Sequence, residues 1–283
     1  MRNHRPLVRL LAVRRQVLGI ASYVIFALGA AVVSSLVLVL KCLPIRSKSK
    51  QAASRWCVQR LFAAFIRLLC RVGLVAVRVE HMERLLTSKG MIIANHPSLL
   101  DVVFLMGWVR QANCVIKGKI FNNVLTGLVV RTAGYVPNHD SASMMALASE
   151  RIRSSERLII FPEGTRTTLN QPRRLQKGAA RIALASEASV TPVYIDCTPL
   201  GLTKEEKWYK VPPCRLQFTF CVGEPLDLND IYTGDAQDSV KVRRITGRFN
   251  DWFNQMEAHH EQRTGIHHHA IDHRHSEPRG SSA

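Results

Sequence analysis

The pattern of apolar and polar positions changes character near residue 75. Ahead of that point, Leu18 to Leu40 runs for 23 residues without a charge. As a helix rising ~1.5 Å per residue it is about 34 Å long, enough to cross a hydrocarbon core of roughly 30 Å. A cleaved signal peptide fits less well, because the apolar run is long and is followed by Lys41, Arg46, Lys48 and Lys50. A second stretch, Trp56 to Leu74, is apolar apart from Gln59, Arg60, Arg67 and Arg71. On a helix those three arginines fall within about 40° of one another. That arrangement suits a helix lying in a membrane interface with its arginines toward phosphates. A core-packing helix with one wet stripe has the same pattern. Residues 42–55 read as a polar linker between the two.

Beyond Leu74 the chain alternates short apolar β-type runs with helical stretches. Met91 to Ala94 reads as a buried strand. A helix is expected from Pro97, which a first helical turn tolerates, to about Val109. Cys114 to Ile116 is a strand, Phe121 to Arg131 a helix, Gly134 to Pro137 a strand or turn, and Ser141 to Ser154 a helix. Arg157 to Phe161, Val190 to Ile195 and Leu216 to Val222 are strands. Helices are expected over Lys177 to Glu187 and Val240 to His259. Such alternation predicts an α/β fold with a largely parallel sheet flanked by helices. The domains expected are a basic tail (1–17), a two-helix membrane anchor (18–77, with helices 18–40 and 56–74), one α/β domain (78–262) and a disordered His-rich tail (263–283).

Charge sharpens this division. The formal net charge is +18, yet no Asp or Glu precedes Glu80, and that stretch carries 14 Lys and Arg. The remainder has 25 basic residues against 21 acidic. The excess therefore belongs to the apolar N-terminal segment and points to an anionic membrane surface, not to a nucleic-acid face on the domain. Basic clusters flank Leu18–Leu40 on both sides, so the positive-inside rule gives no clean orientation. Seven cysteines at no ligand-like spacing argue against a disulfide framework or a zinc site. Reduced cysteines suit a domain facing the cytoplasm, on the inner (plasma) membrane. Seven of the 11 histidines lie at or beyond position 259, where a solvated tail is favoured over metal binding.

Two short runs carry the chemistry. Asn95-His96-Pro97-Ser98-Leu99-Leu100-Asp101 follows a strand and offers a histidine with a carboxylate five residues on. That carboxylate can fix the imidazole tautomer, leaving the other ring nitrogen to take a proton from a hydroxyl. Phe161-Pro162-Glu163-Gly164-Thr165-Arg166 follows another strand. Gly164 allows a tight turn and Arg166 offers a bidentate grip on phosphate or carboxylate. Glu163 can accept a hydrogen bond from an acceptor hydroxyl or hold Arg166 in place.

These runs resemble the signature of the glycerolipid acyltransferase family, of the 1-acyl-glycerol-3-phosphate acyltransferase type. Its N-H-x4-D box, F-P-E-G-T-R box and V-x-P-V strand appear in order as Asn95–Asp101, Phe161–Arg166 and Val190–Val193. Gln176-Lys177-Gly178-Ala179 is similar to the K-G-A that follows the second box. The resemblance covers roughly residues 75–225. It implies a membrane-bound O-acyltransferase in which His96, oriented by Asp101, is the general base on an acceptor hydroxyl. Glu163, Gly164, Thr165, Arg166 and Lys177 would bind the acceptor, usually through its phosphate. The acyl donor would be an acyl-CoA or acyl carrier protein thioester. No metal, other cofactor or covalent acyl-enzyme is implied, and the partners are membrane lipids.

The chain departs from the family pattern between the boxes. Where an arginine usually helps hold the phosphate, the stretch Ala133 to His139 offers Asn138 or His139. A neutral Asn does not pair with phosphate as a guanidinium does. Acceptors with another polar head therefore stay open: a lyso-ornithine lipid, a glycolipid or a polyketide-type hydroxyl. A non-catalytic membrane-binding module is the remaining alternative.

Overall fold

The structure is a computed structural model and describes residues 5–138, 141–167, 173–202, 211–212 and 214–264. The chain opens with helix α1 (Arg5–Cys42) and helix α2 (Ser47–Arg71). Then follow β1 (Val75–Glu80), α3 (Met82–Thr87), β2 (Met91–Ala94), α4 (Asp101–Trp108) and β3 (Asn113–Lys117). Short α5 (Gly118–Phe121) and α6 (Val124–Thr132) lead to β4 (Val136–Asn138), α7 (Ser141–Arg153) and β5 (Leu158–Ile160). The domain ends with α8 (Lys177–Ser186), β6 (Val190–Thr198), β7 (Leu216–Val222), α9 (Asn229–Tyr232) and α10 (Asp238–Thr264).

Among the described residues the strands form one sheet in the order β1-β7-β6-β2-β5-β3-β4. All neighbours are parallel except β6 and β7, which run antiparallel. The expected largely parallel α/β sheet is therefore present. Strands β2 to β6 share one direction, so their carboxyl ends lie along one edge, where open α/β sheets place functional groups. Period-two alternation splits β2 between two cores. Ile92 and Ala94 face the layer containing Phe65, Ile66, Phe104 and Leu105. Met91 and Ile93 face the layer containing Ile152, Ile182, Phe249 and Phe253. A strand buried on both faces reads as a continuous apolar run, as Met91–Ala94 does.

The N-terminal elements differ from expectation in their limits. The apolar helix extends well beyond Leu18–Leu40 at its amino end, and Pro44 marks its stop. The expected linker 42–55 is mostly helix: α2 begins at Ser47, and only four residues connect it to α1. Helix α2 buries Val58, Phe65, Ile66 and Leu69 and leaves Arg60, Arg67 and Arg71 exposed. Its apolar face packs on α4 and α1. Arg55, read as linker, is buried and paired with Glu156 at 2.9 Å, while its Nε donates to the Ala133 carbonyl. Phe26 of α1 meets Phe65 with ring centroids 4.5 Å apart.

Helix α1 remains largely uncovered. Its stretch Ala12–Cys42 is long and apolar enough to cross a membrane, with a mean hydropathy of 2.5 and only 6% of its apolar window buried. Val24, Leu28, Val32 and Leu36 stand exposed. An apolar surface of that length without a protein partner suits hydrocarbon. The residues 265–283 of the His-rich tail, and His139, lie outside the described residues.

Helix α4 starts at Asp101, four residues later than the helix expected from Pro97. The intervening residues are committed elsewhere, as described below. A glycine sets how closely α4 meets α2: a Cβ on Gly107 would lie 2.8 Å from Ile66 Cδ1 and 3.2 Å from the Ala63 backbone nitrogen. Gly107→Val is expected to lower unfolding stability by about 1–3 kcal/mol through overpacking. Denaturant unfolding in detergent checks this, and an unchanged midpoint would show that the crossing tolerates a wider gap.

Candidate active site

His96 lies two residues beyond the end of β2, and Glu163 three beyond the end of β5, its parallel neighbour. Adjacent strand ends therefore bring the two sequence runs together across 67 residues. The His96 backbone N–H donates to Glu163 Oε1 at 3.0 Å. The Thr167 hydroxyl donates to the same oxygen at 3.0 Å, and the Thr167 N–H donates to the His96 carbonyl at 2.7 Å. Glu163 thus braces the backbone of one run against the other. Its carboxyl is pushed up by burial, against the lowering effect of these donors and of Arg173 nearby.

The imidazole itself is held by Asp101. His96 Nδ1 lies 2.9 Å from Asp101 Oδ2, with Asp101 fully buried and His96 16% exposed at its side chain. The same Oδ2 accepts the Ser98 N–H at 2.7 Å. Asp101 sits in the first turn of α4, where an N-terminal helix end favours negative charge. The ring also stacks on Phe161, with centroids 4.3 Å apart. One ring nitrogen is therefore fixed, the ring plane is fixed, and Nε2 is the nitrogen left for an incoming hydroxyl. Burial pushes the Asp101 carboxyl up to about 6, although the His96 ring and the Ser98 amide both favour its charged form.

The loop after β6 makes a third wall. Asn95 locks the end of β2 onto β6 by donating to the Ile195 carbonyl at 2.8 Å and accepting the Ile195 N–H at 2.7 Å. The Ser98 hydroxyl donates to the Gly201 carbonyl at 3.0 Å. The Leu202 carbonyl receives both the Leu99 N–H at 3.2 Å and Arg166 Nη1 at 2.8 Å. Leu202 holds φ 56°, a left-handed conformation that costs a leucine on the order of 1 kcal/mol or more. These bonds keep residues 95–100 out of helix, which is why Pro97 does not open α4. Gly164, at φ 69°, makes the turn that sequence assigned to it, and its N–H donates to the Phe161 carbonyl at 3.0 Å.

The structure gathers most of the predicted residues. His96, Glu163, Gly164, Thr165 and Arg166 lie on two adjoining loops at one sheet edge, with Asp101 at the start of α4 beside them. Lys177 opens α8 as an exposed residue, with no side-chain hydrogen bond or ion pair among the described residues. Asn138 ends β4 and pairs in register with Lys117 at the end of β3, which places a lysine beside the position where a neutral residue was noted.

Residues 76–196 match the family model described as Acyltransferase. That stretch is similar to the glycerolipid acyltransferase family. The 1-acyl-sn-glycerol-3-phosphate acyltransferase of Cocos nucifera is 25% identical over 138 residues, covering 46% of this chain and 45% of that protein. The lyso-ornithine lipid O-acyltransferase of Rhodobacter capsulatus is 28% identical over 110 residues, covering 37% and 40%. The matched region spans about half the length of the first curated relatives it matches. The crystal structure of the 1-acyl-sn-glycerophosphate acyltransferase PlsC from Thermotoga maritima superposes with a TM-score of 0.65 at 19% identity. It covers 88% of this chain and 98% of that one, a likeness of fold.

Sequence reading missed Thr167, Ser98, Asn95 and Phe161 as supports of the site. Each lies within or one residue beyond a motif, so proximity was the signal available. The Leu202 carbonyl and Lys117 had no local signal, since only sheet order brings them near. The buried Asp101 carboxyl makes a stability prediction with a definite sign. A folded-state value near 6, above the ordinary 3.8, means that folding is favoured most below that ordinary value. The benefit is lost as pH rises through about 6. Asp101→Asn should therefore gain stability over the parent when pH is raised from 4 to 8. Paired urea titrations in detergent read this; a pH-independent difference would contradict the raised carboxyl.

Proposed function

We propose that the protein is a membrane-attached O-acyltransferase that moves a fatty acyl group from a thioester to the hydroxyl of a lysophospholipid-type acceptor. The His96–Asp101 pair at 2.9 Å carries the reading, because a neutral imidazole oriented by a buried carboxylate is suited to general base work. His96 Nε2 takes the acceptor's hydroxyl proton as the oxygen attacks the thioester carbonyl. The tetrahedral intermediate collapses with cleavage of the C–S bond. The imidazolium returns its proton to the departing thiolate, leaving ester and free thiol. The donor is an acyl-CoA or acyl carrier protein, and the reaction uses no metal and no covalent acyl-enzyme.

Arg166 with the Gly164-Thr165 turn receives the acceptor's anionic head, and Lys177 adds a cation at its outer margin. Glu163 acts chiefly as the brace between His96 and Thr167. Helix α1 keeps the site at the membrane, on the cytoplasmic side, in keeping with seven cysteines that are all free. A second acceptor class is supported by Asn138. With a neutral residue there, an acceptor bearing an ornithine-type head fits the same chemistry, and a lyso-ornithine lipid O-acyltransferase is among the relatives.

Purified full-length protein given labelled acyl-CoA and a panel of lyso-lipids tests this by lipid mass spectrometry. Ester product should form, and His96→Ala should reduce it by about 10²–10⁴-fold; unchanged turnover in that variant would remove the mechanism. Product from lyso-ornithine lipid but not from lysophosphatidate would select the second acceptor. Turnover should also fall as pH drops through about 6, as Asp101 takes up a proton and releases the ring. Glu163→Gln, which can still accept both bonds, should lose less activity than Glu163→Ala. Equal losses would assign Glu163 to acceptor binding by its charge.

A further inference from the structure

A cavity of about 280 Å³ lies between α1, α2 and α6, sharing no residue with the His96 site. Three cations line it, Lys41, Lys50 and Arg131, together with Ser47, Gln51 and Thr132, and no carboxylate does. The cations come from three separate helices, so the cluster is a product of the tertiary fold and not of one basic run. Lys41 is the penultimate residue of α1, and its ammonium has no hydrogen bond or ion pair among the described residues. Lys50 Nζ donates to the Lys41 carbonyl at 2.7 Å, using one of its three protons. The Gln51 carbonyl oxygen is occupied by Arg151 Nη1 at 3.0 Å, so its amide N–H groups are the end left to donate.

Arg131 is positioned by the backbone around it. Its Nη1 donates to the Phe121 carbonyl at 2.8 Å, and its guanidinium lies 5.8 Å from the Phe121 ring centroid. A Cβ on Gly127 would sit 2.5 Å from that carbonyl and 2.8 Å from Arg131 Nη1. Gly127 thus leaves the space that the folded-back arginine occupies. The lining supplies hydrogen-bond donors and positive charge, which fits a phosphate group.

The location selects the source of that phosphate. The apolar stretch of α1 ends at Cys42, immediately beside Lys41. Leu43 and Ile45, in the connection to α2, are both exposed. If α1 lies in hydrocarbon, the cavity opens where its apolar surface stops, at the depth of lipid headgroups. We propose that this cavity binds the headgroup phosphate of an anionic glycerophospholipid, with Leu43 and Ile45 against its acyl chains. A bound lipid would tie α6 of the domain to the end of α1 and hold the domain at a fixed height on the membrane.

Native mass spectrometry of the full-length protein in uncharged detergent tests this, with dioctanoyl phosphatidylglycerol, dioctanoyl phosphatidylcholine and inorganic phosphate as separate probes. Phosphatidylglycerol should be retained over phosphatidylcholine. Lys41→Gln should lower its retention about fivefold, and Lys41→Gln with Arg131→Gln about 25-fold. Arg60→Gln, Arg67→Gln and Arg71→Gln together should leave it unchanged. The Lys41 ammonium has no partner among the described residues to lose, so its variant keeps the test valid should the Arg131 variant misfold. The proposal is overturned if Lys41→Gln retains the lipid fully, or if the α2 arginine variant loses as much. It is also overturned if inorganic phosphate at equal concentration displaces the lipid, which would make this a soluble-anion site.

Discussion

A carboxylate removed from water is the constraint around which this domain is arranged. Asp101 is fully buried, and its Oδ2 has two donors, the Ser98 amide and the His96 ring. Its other oxygen, Oδ1, is buried with no hydrogen-bond partner among the described residues. A half-satisfied buried carboxylate is costly, and that cost shows as a carboxyl pushed up to about 6. The fold accepts this because the same oxygen fixes the imidazole. Replacing Asp101 with a neutral isostere would favour the fold and, under the proposed mechanism, weaken the hold on the base, a trade-off expected of sites that hold strained or poorly solvated groups.

Everything next to the carboxylate serves to keep it and its histidine in place. Residues 95–100 are held irregular by Asn95 on β6, Ser98 on Gly201 and Leu99 on Leu202. The second motif is fastened to the first through Glu163, Thr167 and the stacked Phe161. Parallel pairing of β2 with β5 and β6 sets these loops side by side. On the far side, α4 carries Asp101 at its start and rests on α2 across the Gly107 gap. Helix α2, itself packed on α1, therefore rests directly on the helix that begins with the buried carboxylate.

Much of this was legible because it is written locally. Met91–Ala94 is a continuous apolar run and Leu216–Val222 alternates apolar residues with Gln217 and Thr219, and strands leave such traces wherever they lie. The His96–Asp101 and Glu163–Arg166 runs could be read because each sits within a few residues. Long-range commitments were not legible. The residues that Pro97 was expected to draw into helix are held by β6 and the loop after it, about a hundred residues away. The polar look of residues 47–55 hid a helix, because Arg55 is buried through distant partners, the Glu156 carboxylate and the Ala133 carbonyl. Lys177 follows the second motif in sequence, yet opens α8 without a bond to the site, whereas Lys117 reaches the same sheet edge through register with Asn138.

The central claim is that Asp101 holds the His96 proton on Nδ1 and so leaves Nε2 as the base. Nitrogen-15 NMR of protein labelled at histidine, assigned with a His96→Gln variant, reads this directly in detergent at pH 7.5. The account predicts a neutral His96 ring with its proton on Nδ1, and a shift of that signal in Asp101→Asn. A neutral ring protonated on Nε2, or a His96 signal unaffected by Asp101→Asn, would contradict it.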